Sequence, residues 1–439
     1  MKTKAKYITV DQALDLIQTG DKIILGMAAS EPQLFVNRLH EVTKRGVTDV
    51  LVTNCLPINQ EAPYFADPKY NHAFQLDSWF YSPGLRRHHG SGRISFIPNH
   101  LHLASEKRLQ HTKYNVFVGA AAMPDEHGYV SLSLSNVYEK MACEQADTII
   151  LEVNPNFPRT FGDLEIHISE IDYLIKADYP VPEIGSIELT EKDRIIGNLI
   201  ADMIEDGSTL QLGIGGIPNA VAEALKDKKD LGIHTEMFTS GMMNLIEAGA
   251  VTGKKKNIYP GKHVACFAYG NRKLYDYINN NPSVLILNGN WVNDPNVIGL
   301  NDKQVSINSC LEIALDGQVA SESFGTSQFS GTGGQSDTAI GAQISKGGKS
   351  FIALYSTAMV RNRETGEREE VSKIVPILAP GAAVSLSRND VDYVVTEYGV
   401  AALRGTSIQE RAKLLIEIAH PKFRDDLTKQ AIKYGLIAG

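Results

Sequence analysis

Residues 13–39 read ALDLIQTGDKIILGMAASEPQLFVNRL, and residues 200–225 read IADMIEDGSTLQLGIGGIPNAVAEAL. Each stretch gives a helical pattern, a glycine turn and a four-residue apolar strand. A second glycine, a small-residue loop with proline and another helical pattern follow. Gly20 matches Gly207, Leu25 matches Leu212, Gly26 matches Gly213, and Pro32 falls close to the place of Pro218. The next strand repeats as well: Asp49-Val-Leu-Val-Thr-Asn-Cys55 lies against Asp230-Leu-Gly-Ile-His-Thr-Glu236. Two matches in the same order predict a duplicated α/β domain. Two copies are too few for a solenoid.

Outward from the repeat, helical spacing covers 10–17, 33–42 and the stretch from Glu191 onward. Short apolar runs at 22–25, 49–53, 114–118, 148–153 and 284–287 read as strands. Runs unbroken by polar alternation suit strands covered on both faces, so the fold class is α/β with largely parallel sheet. The seam is expected in 177–185, where Pro180 and Pro182 favour an extended connector. That gives two similar open α/β domains, 1–183 and 184–439. The Gly/Ser-rich stretch 321–334 reads as a functional loop, because regular patterns continue beyond it.

The chain has 439 residues, 43% hydrophobic and 21% charged, which excludes wholesale disorder. Its net charge is −8, with no long block of one sign. Nucleic acid is not the expected ligand, since neutralising phosphates needs a basic face. Lys254-Lys255-Lys256 and Arg86-Arg87 are the densest basic spots and leave room for a phosphorylated small molecule. Cys55, Cys143, Cys266 and Cys310 stand far apart and read as buried free thiols in a reducing compartment. The basic start Met1-Lys-Thr-Lys-Ala-Lys6 lacks the apolar stretch of a secretory leader, and no run approaches the length of a membrane span. A cytoplasmic protein with no membrane partner is the expectation.

Two glycine loops could carry chemistry. Gln211-Leu212-Gly213-Ile214-Gly215 follows a strand and opens a helix, so main-chain N–H groups there can approach an anion. It is not a full dinucleotide fingerprint, because Pro218 takes the third-glycine place, and a tight structural turn is the competing reading. Ser330-Gly331-Thr332-Gly333-Gly334-Gln335 packs three glycines into four residues, more than a hairpin needs, and reads as an anion or oxyanion site. Between them, Glu236 sits at the end of a strand, where open α/β sheets bind ligands. It reads as a nucleophile, a general base or a helix-cap partner.

Other constellations are weaker. His100 and His102 would share a strand face, as would Glu165 and His167, but nothing completes a metal-ligand set, so no metal is expected. His88-His89 beside Arg86, Arg87 and Arg93 reads as a solvated loop, with phosphate contact as the alternative. No GxSxG elbow or Walker loop is present.

GIGGIPNAV, LGIHTEMFTSG, SGTGGQSD and DYVVTEYGVAALRG, in this order, resemble the acetyl-CoA hydrolase/transferase family. The nearest likeness is to 4-hydroxybutyrate and butyryl-CoA:acetate CoA-transferases. EVNPNFPRTFGD and HISEIDYLI extend it over essentially the whole chain. The resemblance implies a CoA-transferase-like duplication with the active site between the halves and Glu236 as covalent nucleophile. Gln211, Leu212, Gly213, Ile214 and Gly215 would contact CoA and the reacting carbonyl. Gly331, Gly333, Gly334 and Gln335 would complete the oxyanion and CoA site. The chemistry implied passes CoA between acetyl-CoA and a short-chain carboxylate by ping-pong kinetics through a glutamyl-CoA thioester. Acyl-CoA and carboxylate are then substrates, no cofactor is held permanently, and a homodimer or higher homo-oligomer is expected.

Where close relatives carry His in an early GHxxxEP segment, this chain has Met27, and Thr338 replaces an aromatic after Asp337. Both departures bear on the acyl pocket. 4-Hydroxybutyrate or butyrate is favoured, with a dicarboxylate such as itaconate or succinate as the alternative. An acyl-CoA hydrolase of the same family and a non-catalytic CoA-binding protein are the other readings. Glu397, in the TEYG motif, reads as structural or as a domain-interface residue.

Overall fold

The computed structural model describes residues 5–58, 64–185, 187–361 and 366–439. Met1 to Lys4, part of the basic start of the chain, lie outside the described residues. The first sheet is built from β1 (Lys6–Tyr7), β2 (Lys22–Leu25), β3 (Val50–Asn54), β4 (Phe74–Ser78), β5 (Ile94–Phe96), β6 (Val116–Ala121), β7 (Thr148–Val153) and β8 (Tyr173–Lys176). Its spatial order is β1-β8-β7-β6-β2-β3-β4-β5, and every neighbouring pair is parallel. The pairs around β2 are in register at Lys22↔Leu51 and Ile23↔Val116.

The second half supplies β9 (Thr209–Leu212), β10 (Gly232–Ile233), β11 (His263–Ala265), β12 (Val284–Ile286), β13 (Gln304–Ser309), β14 (Lys349–Ala353), β15 (Tyr393–Thr396) and β16 (Gly399–Ala402). Here the order is β10-β9-β13-β14-β15-β16, parallel except for the β15–β16 pair. A parallel bridge from His234 to Val264 leads from the end of β10 onto the β11–β12 pair. The path β15-β14-β13-β9-β10-β11-β12 therefore repeats β8-β7-β6-β2-β3-β4-β5 strand for strand. The repeat read from residues 13–39 and 200–225 is a repeat of topology.

The halves are not separate bodies. Phe161–Gly162, from the first half, pairs with β12 at the far end of the second sheet. Gly162 takes φ +146, and a Cβ there would run into the backbone of Ile286. One hydrophobic core spans both halves, with Ile24, Cys55 and Trp79 packed in the same cluster as Leu210, Val264 and Cys266.

Local chemistry sets the helices that matter for the site. α1 (Val10–Leu16) begins with a capping box between Thr9 and Gln12, and α4 (Glu191–Asp202) with one between Thr190 and Asp193. The helix expected over 33–42 is α2 (Gln33–Arg38), continued as a tighter 3-10 stretch, Leu39–Arg45, and closed by Gly46 at φ +77. The strand expected at 114–118 is β6, displaced toward Ala121. Pairing with β2 ends at Val118, and pairing with β7 alone carries the strand through Gly119-Ala120-Ala121, residues of poor strand propensity. His100 and His102 are not on a strand. His100 occupies the N-terminal flanking position of α3 (Leu101–His111) without a side-chain capping bond, and His102 lies in its first turn. Among the described residues, no helix is long and apolar enough to cross a membrane.

Candidate functional site

Glu236 follows β10 and precedes the two-residue strand Met237–Phe238. Its carbonyl accepts from the backbone N–H of Cys266 at 3.1 Å and of Phe267 at 3.2 Å, with the Cys266 thiol also at 3.1 Å. Pinned this way, the side chain turns toward the 331–335 loop. Oε2 accepts from Asn293 Nδ2 at 2.9 Å, and the Gly334 N–H also donates to the carboxylate. Burial pushes the Glu236 pKa up to about 7, with Asp337 adding to the rise. The Asn293 and Gly334 donors hold it back from going further.

The loop leaves no room for side chains where it meets this carboxylate. A Cβ on Gly334 would collide with Glu236 Oε2 and Asn293 Nδ2, and one on Gly331 with the Trp79 carbonyl and Phe80. Gly333 has space for a methyl, but its φ of +55 is left-handed, and Phe80 Cε2 lies 3.6 Å from where its Cβ would stand. The loop runs into α6 (Gln335–Ile344). Gln335 is spent on the scaffold. Its Oε1 accepts from Ser321 Oγ at 2.6 Å, and its Nε2 donates to the Ser309 carbonyl at 2.9 Å.

The other glycine loop stands apart. Gln211 and Leu212 belong to β9 and are buried, and Gln211 Oε1 accepts from the Ile307 N–H at 3.1 Å. Gly213 donates its N–H to the Ile307 carbonyl at 3.1 Å. The half-exposed Ile214 and Gly215, at φ +120, lead into α5 (Gly216–Ala224). Both line a cavity of about 520 Å³ shared with Asn219, Thr239, Ser240 and Asn244. Glu236 does not line that cavity. Of the residues expected at the site, 331–334 and Glu236 meet directly, whereas 211–215 frame a neighbouring space.

Several partners carried no sequence signal. Asn293 closes the helix Gly289–Val292 and is fully buried, yet it reads as one more polar residue in an Asn-rich stretch. Phe80 and the His100–His102 turn come from the first half. Arg86, read as part of a solvated loop, instead lays its guanidinium 3.6 Å over the Phe329 ring, just ahead of the glycine loop. Glu397 is held by the Ser356 N–H and hydroxyl, both at 2.8 Å, and by Lys192 at 2.9 Å. Burial pulls its pKa upward, but Lys192 and Ser356 outweigh burial and leave it below the usual carboxylate range. These partners, Ser356 and Lys192, both lie in the second half. The four cysteines are free and buried.

Residues 2–184 match the acetyl-CoA hydrolase/transferase N-terminal domain, and residues 270–431 match the corresponding C-terminal domain. The chain is 43% identical to the 4-hydroxybutyrate coenzyme A transferase of Clostridium kluyveri, over 97% of each chain. It is 42% identical to the succinyl-CoA:cyclohexane-1-carboxylate CoA transferase of Geobacter metallireducens, over 98% of this chain and 95% of that one. The crystal structure of RipA from Yersinia pestis superposes with a TM-score of 0.89 at 35% identity, covering 98% of both chains. That of a 4-hydroxybutyrate CoA-transferase from Porphyromonas gingivalis gives 0.79 at 37% identity, again over 98% of both. With a buried glutamate facing a glycine loop and this kinship along its full length, the chain belongs to the acetyl-CoA hydrolase/transferase family and is a CoA-transferase.

Proposed function

We propose that this enzyme passes CoA between acetyl-CoA and a short-chain carboxylate, 4-hydroxybutyrate or butyrate, with Glu236 as covalent carrier. The halves 1–183 and 184–439 act together, the second supplying the nucleophile and the first closing the site over the glycine loop. The observation that carries this reading is the setting of Glu236: a carboxylate with Asn293 Nδ2 at 2.9 Å and the Gly334 N–H on its oxygens. The names of the relatives from Clostridium kluyveri and Anaerostipes caccae, a 4-hydroxybutyrate and a butyryl-CoA:acetate CoA-transferase, support the choice of acids.

The chemistry runs in two mirrored halves. A Glu236 oxygen attacks the acyl-CoA carbonyl, the C–S bond of the tetrahedral adduct breaks, and CoA leaves as thiolate, giving a mixed anhydride of Glu236 with the donor acid. The thiolate attacks the Glu236 carbonyl carbon and expels the donor acid as its carboxylate, leaving glutamyl-CoA. The incoming carboxylate attacks that thioester to form a second anhydride and free thiolate. The thiolate then attacks the acyl carbonyl, giving the new acyl-CoA and restoring Glu236. One thioester replaces another, so the exchange balances without a further reactant. When the Glu236 carbonyl becomes tetrahedral, the Asn293 and Gly334 donors already face its oxygens, and placed donors of this kind are worth about 10²–10³ each in rate.

The test is direct. Wild-type enzyme incubated with acyl-CoA alone is expected to carry CoA on Glu236, seen by peptide mass spectrometry. Borohydride should reduce that thioester to the alcohol and inactivate the enzyme. Exchange proceeding with the adduct on another residue, or with none, would overturn the assignment.

A further inference from the structure

Asp337 lies in the first turn of α6, three residues past Gly334, and is buried. An acidic residue at this place commonly reaches back to cap its own helix. Here both oxygens cross to the first half of the chain. Oδ1 meets His102 Nδ1 at 2.8 Å, and Oδ2 accepts from the His102 backbone N–H at 3.0 Å. One residue earlier, the Leu101 N–H donates to the Gly333 carbonyl at 3.1 Å. The turn that starts α3 is therefore fastened at three points, one on the glycine loop whose Gly334 N–H reaches Glu236 and two on Asp337 in the helix that follows it.

We propose that His102 is a positioning residue for the transfer reaction, holding the glycine loop against Glu236 through Asp337 and offsetting the Asp337 charge beside that carboxylate. This rests on Glu236 being the nucleophile. The hydrogen bond to Asp337 raises the His102 pKa, burial opposes the rise, and Asp294 supports it while Lys107 opposes it. His100 Nδ1 stands 4.0 Å from the same Asp337 oxygen, with its ring stacked on that of His102. Asp337 in turn raises Glu236. When His102 is protonated, it and Asp337 form a nearly neutral pair, and Glu236 then ionises against less repulsion than Asp337 alone would impose.

The sign of this coupling gives the test. The rate of Glu236–CoA adduct formation from acyl-CoA is measured against pH in a single turnover, by mass spectrometry, for wild type, His102→Gln and Asp337→Asn. Gln can still donate to Asp337 but carries no charge, so the acid limb should move to higher pH by about half a unit or more. Asn removes the repelling charge, so the limb should move to lower pH. A loop that is only structurally loosened slows both variants without moving their limbs in opposite directions. His102→Asn is made alongside and should shift upward like His102→Gln, which keeps the test decisive if Asp337→Asn fails a melting-curve check of folding. Limbs that stay in place, or move together, while wild type labels on Glu236 would overturn the role of His102. Wild type that never labels on Glu236 would overturn the nucleophile, and this proposal with it.

Discussion

Asn293 Nδ2 stands 2.9 Å from Glu236 Oε2, so an amide from the end of a four-residue helix fixes the rotamer of the Glu236 side chain. Truncation to alanine frees the carboxylate to swing, and misplacement by about 1 Å costs on the order of 10²-fold. Asn293→Ala is expected to lower kcat by about that factor with little change in KM. Asn293→Asp should be worse, because a second carboxylate at this distance drives Glu236 further toward its neutral form. Steady-state kinetics on both variants check the order.

Gly333 and Gly334 are neighbours with different demands. Gly334→Ala forces a methyl into Glu236 and Asn293, whereas Gly333→Asn meets only the cost of a left-handed backbone that asparagine tolerates. Gly334→Ala should lose on the order of 10²-fold in turnover, about the value of one displaced donor. Gly333→Asn should keep its fold and lose markedly less. Equal losses in the two would show that backbone freedom, and not the close approach at Gly334, governs the loop.

The position of Glu236 near pH 7 predicts how the first half-reaction responds to acid. Only the carboxylate attacks, so adduct formation should fall about tenfold per unit as pH drops below 7 and flatten above it. A stopped-flow pH series with acyl-CoA as the sole substrate reads this limb. An acid limb centred near 4.5 would mean that burial does not hold the group neutral.

A stability prediction concerns the other half of the repeat. Glu31 is buried, and burial lifts its pKa from 4.5 to about 7, with Glu152 adding to the rise and the Gln33 amide and the Ile58 N–H opposing it. For an acid raised on folding, the penalty is absent below about 4.5, grows as pH climbs through that window, and is complete above 7. At about 1.4 kcal/mol per unit, the ionisation cost at pH 8 is roughly 3 kcal/mol. Glu31→Gln should therefore raise Tm by a few degrees at pH 8 and by little at pH 5. Calorimetry at both values separates this from a change in packing, which would move both alike.

The duplication was legible because its marks are local. Gly20 and Gly207 both sit at positive φ, +86 and +77, so each turn demanded the same residue. The strands on either side had to be apolar on both faces. The partners of Glu236 were a different matter. Asn293 lies 57 residues away in sequence, and His102 and Asp337 lie 235 apart, so no periodicity or spacing links them. The histidines were misplaced for a related reason: the alternation of His100, Leu101 and His102 suits a strand, but Leu101 opens a helix whose first turn is claimed by Gly333 and Asp337. Side chains recruited by tertiary contact leave no trace in the run of residues around them.

The pairing of Phe161–Gly162 with β12 sets an order of assembly during synthesis. When this segment leaves the ribosome, the strand that will cover it has not yet been translated, so it waits as an open edge until residues 284–286 emerge. The later half then finishes its sheet on material already made. A fragment starting at residue 184 would expose the outer side of β12 to other chains, an invitation to aggregate. Separating the halves into two polypeptides would therefore succeed only if the piece carrying Gly162 were present while the other folds, and dosing one against the other in co-expression should set the yield of soluble enzyme.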